Sequence, residues 1–106
     1  MKPIHVLEEV WQDTTEASEW YDAQDGKELG DRFIATFHSY WAQIQREDGS
    51  PRLIYKQFRR VLIEPFPYAL YYKVKSDCIV LVLLWHTARL PRHLRELLRA
   101  RDRVEN

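Results

Sequence analysis

The run Ile79–Trp85, IVLVLLW, constrains the fold more than any other stretch of the chain. Its seven apolar residues are far short of the about 20 that a membrane-spanning helix needs. They are bounded by KSD at 75–77 and HTAR at 86–89, and a short apolar run between turn signals reads as a strand. Side chains alternate along a strand. On simple alternation Ile79, Leu81, Leu83 and Trp85 face one way, and Cys78, Val80, Val82, Leu84 and His86 the other. Both faces are apolar, so both need cover. A helical layer can supply one cover. The C-terminal segment or a partner protein must supply the other, because a contiguous exposed apolar strip marks a binding surface.

The rest of the chain supplies those layers. Ile4 to Val10 reads as a first strand. Asp13 with Glu16 three residues later is a capping-box pattern that opens a helix. That helix carries Ala17, Trp20 and Tyr21 on one side, and Gly26 interrupts it. Leu29, Phe33, Phe37, Tyr40, Trp41 and Ile44 then recur at helical spacing, predicting a second helix over Lys27–Arg46. Joined by a short turn, the two helices form an antiparallel hairpin. EDGSP at 47–51 is a turn. Strands follow at Tyr55–Ile63, Tyr68–Lys75 and Cys78–Trp85. Pro65 and Pro67 bracket the first connection, and KSD makes a tight turn in the second. Pro91 suits a first helical position, with Leu94, Leu97 and Leu98 giving a short amphipathic C-terminal helix. The expected architecture is one α+β domain over residues 1–106, in the order β-α-α-β-β-β-α. A helical hairpin packs on a mostly antiparallel twisted sheet.

With 45% hydrophobic and 30% charged residues the chain reads as globular rather than disordered. Its N-terminus, MKPIHVLEE, shows no long apolar region or small-residue cleavage site. The single cysteine, Cys78, makes no internal disulfide and suits an apolar packing role. A cytoplasmic location is therefore expected, with no membrane association. The formal net charge of zero conceals an asymmetry. Residues 1–48 carry four basic and eleven acidic side chains, and residues 49–106 carry twelve basic and five acidic. Two readings stand. One is a pair of solvated faces of opposite sign. The other is a C-terminal half that meets an anionic partner such as RNA, DNA or an acidic protein segment.

Chemistry-bearing groups gather at the exit of the apolar strand. His86 and Arg89 lie three residues apart there, Arg59 and Arg60 sit on an earlier strand, and Tyr68, Tyr71 and Tyr72 add phenols. If His86, Arg89, Arg59 and Tyr68 converge, they are the groups RNA cleavage needs: a base, an acid and cations for the crowded phosphate. The plainer reading makes His86 a hydrogen-bonded structural residue and Arg89 a counter-charge to the acidic hairpin. For contacts to a partner protein the candidates are Arg59, Val80, Val82, Leu84 and Arg89. The basic face of the last helix, with Arg92, Arg95, Arg99, Arg101 and Arg103, is either solvated or a contact to phosphates or acidic groups. His5, His38, His86 and His93 lack metal-ligand spacing, three glycines form no phosphate loop, and no Ser or Cys nucleophile motif appears. No metal, cofactor or small-molecule substrate is expected.

Taken together, ASEWYDAQ at 17–24, GDRF at 30–33, FRRVLIEPFPYALYYKV at 58–74, DCIVLVLLWHTAR at 77–89 and Pro91 resemble the RelE/ParE toxin superfamily. These toxins are one half of bacterial type II toxin–antitoxin pairs. The resemblance runs from about Ala17 to Leu98. Leu90 stands where the family usually carries aspartate, so any role of that acid is missing. The resemblance implies the same α+β fold and a cognate antitoxin that wraps the toxin, often disordered until bound. It also implies one of two targets. RelE-like members cut mRNA in the ribosome, and ParE-like members block DNA gyrase. The long hairpin and the H-x-x-R-x-P ending are similar to the ParE branch. A third reading keeps antitoxin binding without toxic activity.

Overall fold

A computed structural model describes residues 1–47, Gly49 and 51–102. The elements run β1 (Ile4–Val6), α1 (Glu8–Asp25), α2 (Lys27–Arg46), β2 (Arg59–Leu62), β3 (Tyr68–Val74), β4 (Ile79–His86) and α3 (Pro91–Arg101). The order is the expected one, and the class is α+β. The turn expected at 47–51 includes two residues outside the described set. Among the described residues no helix is long and apolar enough to cross a membrane.

Helix α1 begins five residues before the expected capping box. Leu7, Val10, Thr14, Ala17 and Tyr21 are all buried and fall at helical steps of 3, 4, 3 and 4. Thr14 hid this stripe in the sequence; its hydroxyl donates to the Val10 carbonyl at 2.7 Å. The first strand is accordingly only Ile4–Val6. Glu8 and Glu9 occupy the first turn of α1, where carboxylates complement the helix dipole. Asp13 lies inside the helix rather than capping it. Gly26 alone joins α1 to α2, at φ 93°, a conformation that favours glycine. Where the two helices cross, Gly30 is buried against Ser18 and Asp22.

The sheet order is β1-β4-β3-β2, with β1 parallel to β4 and the other pairs antiparallel. Between β3 and β4 the register steps from Tyr72↔Leu81 to Tyr71↔Leu83, leaving Val82 as an extra residue. A bulge of this kind inverts the alternation beyond it. Ile79 and Leu81 therefore share a face with Tyr72 and Leu84, while Leu83 and Trp85 share the opposite face with Tyr71 and Val80. This corrects the simple alternation: the four expected to align do not, and Val80 and Leu84 look opposite ways. The hairpin covers the first face, with Tyr21 and Phe33 against Tyr68 at ring separations of 6.4 and 5.1 Å. Helix α3 covers much of the second through Leu98, which is fully buried. Val80, Val82 and Leu84 are buried at 4, 1 and 4% exposure. The open apolar strip expected from them is thus closed within the chain itself.

Candidate functional site

At the exit of β4, three of the four expected catalytic side chains come together. Tyr68 is the cross-strand partner of His86. Their rings meet edge-on at 5.1 Å. The chain then turns sharply: Arg89 N–H donates to the His86 carbonyl at 3.1 Å, and Thr87 N–H donates to the Pro67 carbonyl at 2.9 Å. That turn carries the Arg89 guanidinium over the Trp85 ring, 5.4 Å from its centroid. With Leu84 and with Asp13, Glu16, Ala17 and Trp20 of α1, the side chains of Tyr68, His86 and Arg89 line a cavity of about 240 Å³. Trp20 stands 56% exposed at its edge.

Arg59 does not join them. Its partner is Tyr72, four residues along β3 from Tyr68, which at strand rise is about 13 Å away. Its guanidinium donates through Nη1 to the Pro51 carbonyl, and its buried Nε has no hydrogen-bond partner among the described residues. The expected convergence fails because strand register, which sequence spacing does not reveal, puts Arg59 at the other end of the sheet.

Ala88 N–H donates to His86 Nδ1 at 3.1 Å. That bond fits the tautomer that carries its proton on Nε2. Burial raises the Tyr68 phenol above its ordinary 10.0; Arg89 works against the shift and Glu16 adds to it. Burial and the neighbouring Tyr68 raise Tyr21 as well. Tyr68 is thus a hydrogen-bond donor at neutral pH rather than a base. Beside the Asp13 and Glu16 carboxylates, the cavity offers a phenol O–H, an imidazole and a guanidinium.

The arginines of α3 divide. Arg92 and Arg95 are exposed. Arg99 donates to the Tyr55 hydroxyl at 3.1 Å. Arg101 turns inward, with its side chain 11% exposed. It forms a two-armed ion pair with Asp13 at 2.7 and 3.1 Å and also donates to the Val82 carbonyl at 3.0 Å. Asp13 in turn accepts from Leu84 N–H at 3.1 Å. The pair thereby satisfies the backbone groups that the β4 bulge leaves beyond the end of β1. Arg101, expected on the basic face of the helix, is thus a structural tie turned into the interior. The sequence held a signal for this: Leu94, Leu97, Leu98 and Arg101 continue one helical stripe. Arg103 lies outside the described residues. A second tie, unforeseen in the sequence, joins buried Lys73 to Asp102 at 2.6 Å. Among the described residues no group of three or more His, Cys, Asp or Glu side chains is arranged to hold a metal ion.

No protein-family model and no curated protein matches the chain. Among solved structures, a chain of the chromosomal ParDE TA system from P. aeruginosa superposes with a TM-score of 0.73 at 16% identity. The match covers 81% of this chain and 96% of that one. At that identity the likeness establishes a shared fold.

Proposed function

We propose that the chain is the toxin of a toxin–antitoxin pair, arresting growth until a cognate antitoxin binds it, and that it acts by engaging DNA gyrase. The observation that carries the toxin reading is the fold shared with a chain of the ParDE TA system. The sequence blocks that resemble the RelE/ParE superfamily point the same way. The preference for a non-catalytic target rests on the site. His86 Nδ1 already accepts a hydrogen bond, Tyr68 is held protonated, and Arg59 is tied to Pro51 at the far end of the sheet. Arg89, Arg92 and Arg95 remain as exposed cations for target or antitoxin contacts.

The ribosome-dependent nuclease reading draws on one observation, the meeting of Tyr68, His86 and Arg89 in one cavity. The two readings separate on induction of the chain alone in a bacterial host. Under the gyrase reading growth stops, the purified chain blocks supercoiling, and the DNA-damage response rises. Arg92→Glu with Arg95→Glu then weakens all three effects, while His86→Ala leaves them within a few-fold. Under the nuclease reading transcripts are cut within codons, supercoiling continues, and His86→Ala lowers cleavage by about 10²–10⁴. A host that grows normally on induction, with no small partner gene beside this one, removes the toxin reading.

A further inference from the structure

We infer that the cleft between α3 and the second face of the sheet is the docking site for an acidic segment of a partner protein that inserts one bulky apolar side chain. The cleft measures about 290 Å³. Ala69, Tyr71 and Trp85 form its floor, and Leu94 and Leu98 of α3 form one wall. Among the described residues its cationic groups are Arg60, Arg89 and Arg95, and no carboxylate lines it. Among the described residues none of these three arginines has an ion-pair partner, whereas Lys73 and Arg101, at the C-terminal end of α3, are each paired.

Two features identify the occupant. Three unpaired guanidinium groups around an apolar hole complement carboxylates that flank an apolar side chain, because a buried anchor within a polar rim is how interfaces concentrate affinity. Apolar surface also continues outward from the cleft: Ile54, on its lining, is 41% exposed, and Leu62, the cross-strand partner of Ala69 on the floor, 44%. A sugar–phosphate backbone has nothing to offer that surface, whereas the apolar residues of an amphipathic segment cover it. The volume lies at the lower end of the range for ligand pockets, roughly 300–1,000 Å³, and suits one large side chain. The identity of the partner as an antitoxin rests on the toxin reading above; the chemistry of the cleft does not.

The test takes the full chain and a displayed library of short random peptides, and titrates the enriched peptide, once synthesised, by fluorescence anisotropy. Enriched sequences are expected to place Asp or Glu on either side of a Trp, Phe or Leu. Arg60→Glu and Arg95→Glu each weaken binding roughly tenfold, and added salt weakens it further. Thr87→Trp, at an exposed position lining the mouth, abolishes it. If Thr87→Trp fails to fold, the combined Arg60→Glu and Arg95→Glu variant carries the test, since both side chains are exposed. The assignment falls if no peptide is enriched, if the enriched peptides lack carboxylates, or if the variants leave binding unchanged. It also falls if a single-stranded RNA oligonucleotide competes for the cleft more tightly than the peptide. Growth arrest without a partner tests the toxin reading separately. A chain that arrests growth but takes no acidic peptide sinks the cleft assignment alone; one that binds the peptide without arresting growth sinks the toxin reading alone.

Discussion

Gly30 shows how one missing methyl group sets the approach of two helices. A Cβ there would lie 1.9 Å from Asp22 Oδ1 and 2.7 Å from the Ser18 carbonyl. The carboxylate can turn away, but the carbonyl belongs to the backbone of α1 and moves only with the helix. Gly30→Ala is therefore expected to destabilise. Overpacking costs about 1–3 kcal/mol, against an intrinsic helix gain of about 1 kcal/mol. A lowered urea midpoint checks this, and Asp22→Ala in the same chain should restore only part of the loss. Tyr68 makes a second case at this scale. Its folded pKa lies above the ordinary 10.0, chiefly through burial, so the native state holds the proton more tightly than the unfolded chain does. The stability this gives is fully present below pH 10.0 and is lost as pH rises through the higher folded value. Tyr68→Phe should flatten that alkaline decline. Arg89→Met removes the cation that opposes the shift, and should push the tyrosinate absorbance of Tyr68 to still higher pH.

Between elements, the decisive contact is the one that holds α1, β4 and α3 together. Asp13 comes from the first helix and Arg101 from the last, and both bond backbone groups of the bulged strand. Replacing Asp13 leaves a mostly buried guanidinium without its counter-charge and the Leu84 N–H without its acceptor. Asp13→Ala is expected to cost about 3–5 kcal/mol. A double-mutant cycle with Arg101→Met should return a coupling of about 0.5–3 kcal/mol. A coupling near zero would mean that α3 is held by Leu98 and the Lys73–Asp102 pair instead. The same arrangement explains why β4 can be apolar on both faces. Its bulge shifts Leu83 and Trp85 towards the α3 side while Leu84 turns to the hairpin, so each cover receives its own set of side chains.

For the whole molecule, opposite charge in the two halves of the sequence has a consequence in solution. With no net charge and a pI near 6.9, little overall repulsion keeps copies apart at neutral pH, while the acidic and basic halves attract. Light scattering at pH 7 is expected to rise as ionic strength falls. It should drop on adding about 0.3 M salt, where screening acts over less than about 8 Å. Charge reversal at Arg92 and Arg95 should weaken the effect. Scattering insensitive to salt would mean that the exposed apolar residues Leu53, Ile54 and Leu62 drive association instead.

Much of the fold was legible locally. The second helix, Lys27–Arg46, has the boundaries its apolar spacing predicts, because a period of 3.6 residues needs no information from elsewhere in the chain. Element order, the one-residue joint at Gly26 and the three C-terminal strands follow from similar short-range patterns. The start of α1 was also written there, in the spacing of Leu7, Val10, Thr14 and Ala17, but a polar threonine masked it. The site was less legible. The pairing of Tyr68 with His86, the bulge at Val82 and the separation of Arg59 from both are matters of register, which exists only once strands meet. Whether Arg101 faces solvent or the interior depends on a carboxylate 88 residues earlier. Local pattern decides which segments become helix or strand. Burial of a charge, and the meeting of groups across a sheet, depend on long-range partners, and only the tertiary structure supplies them.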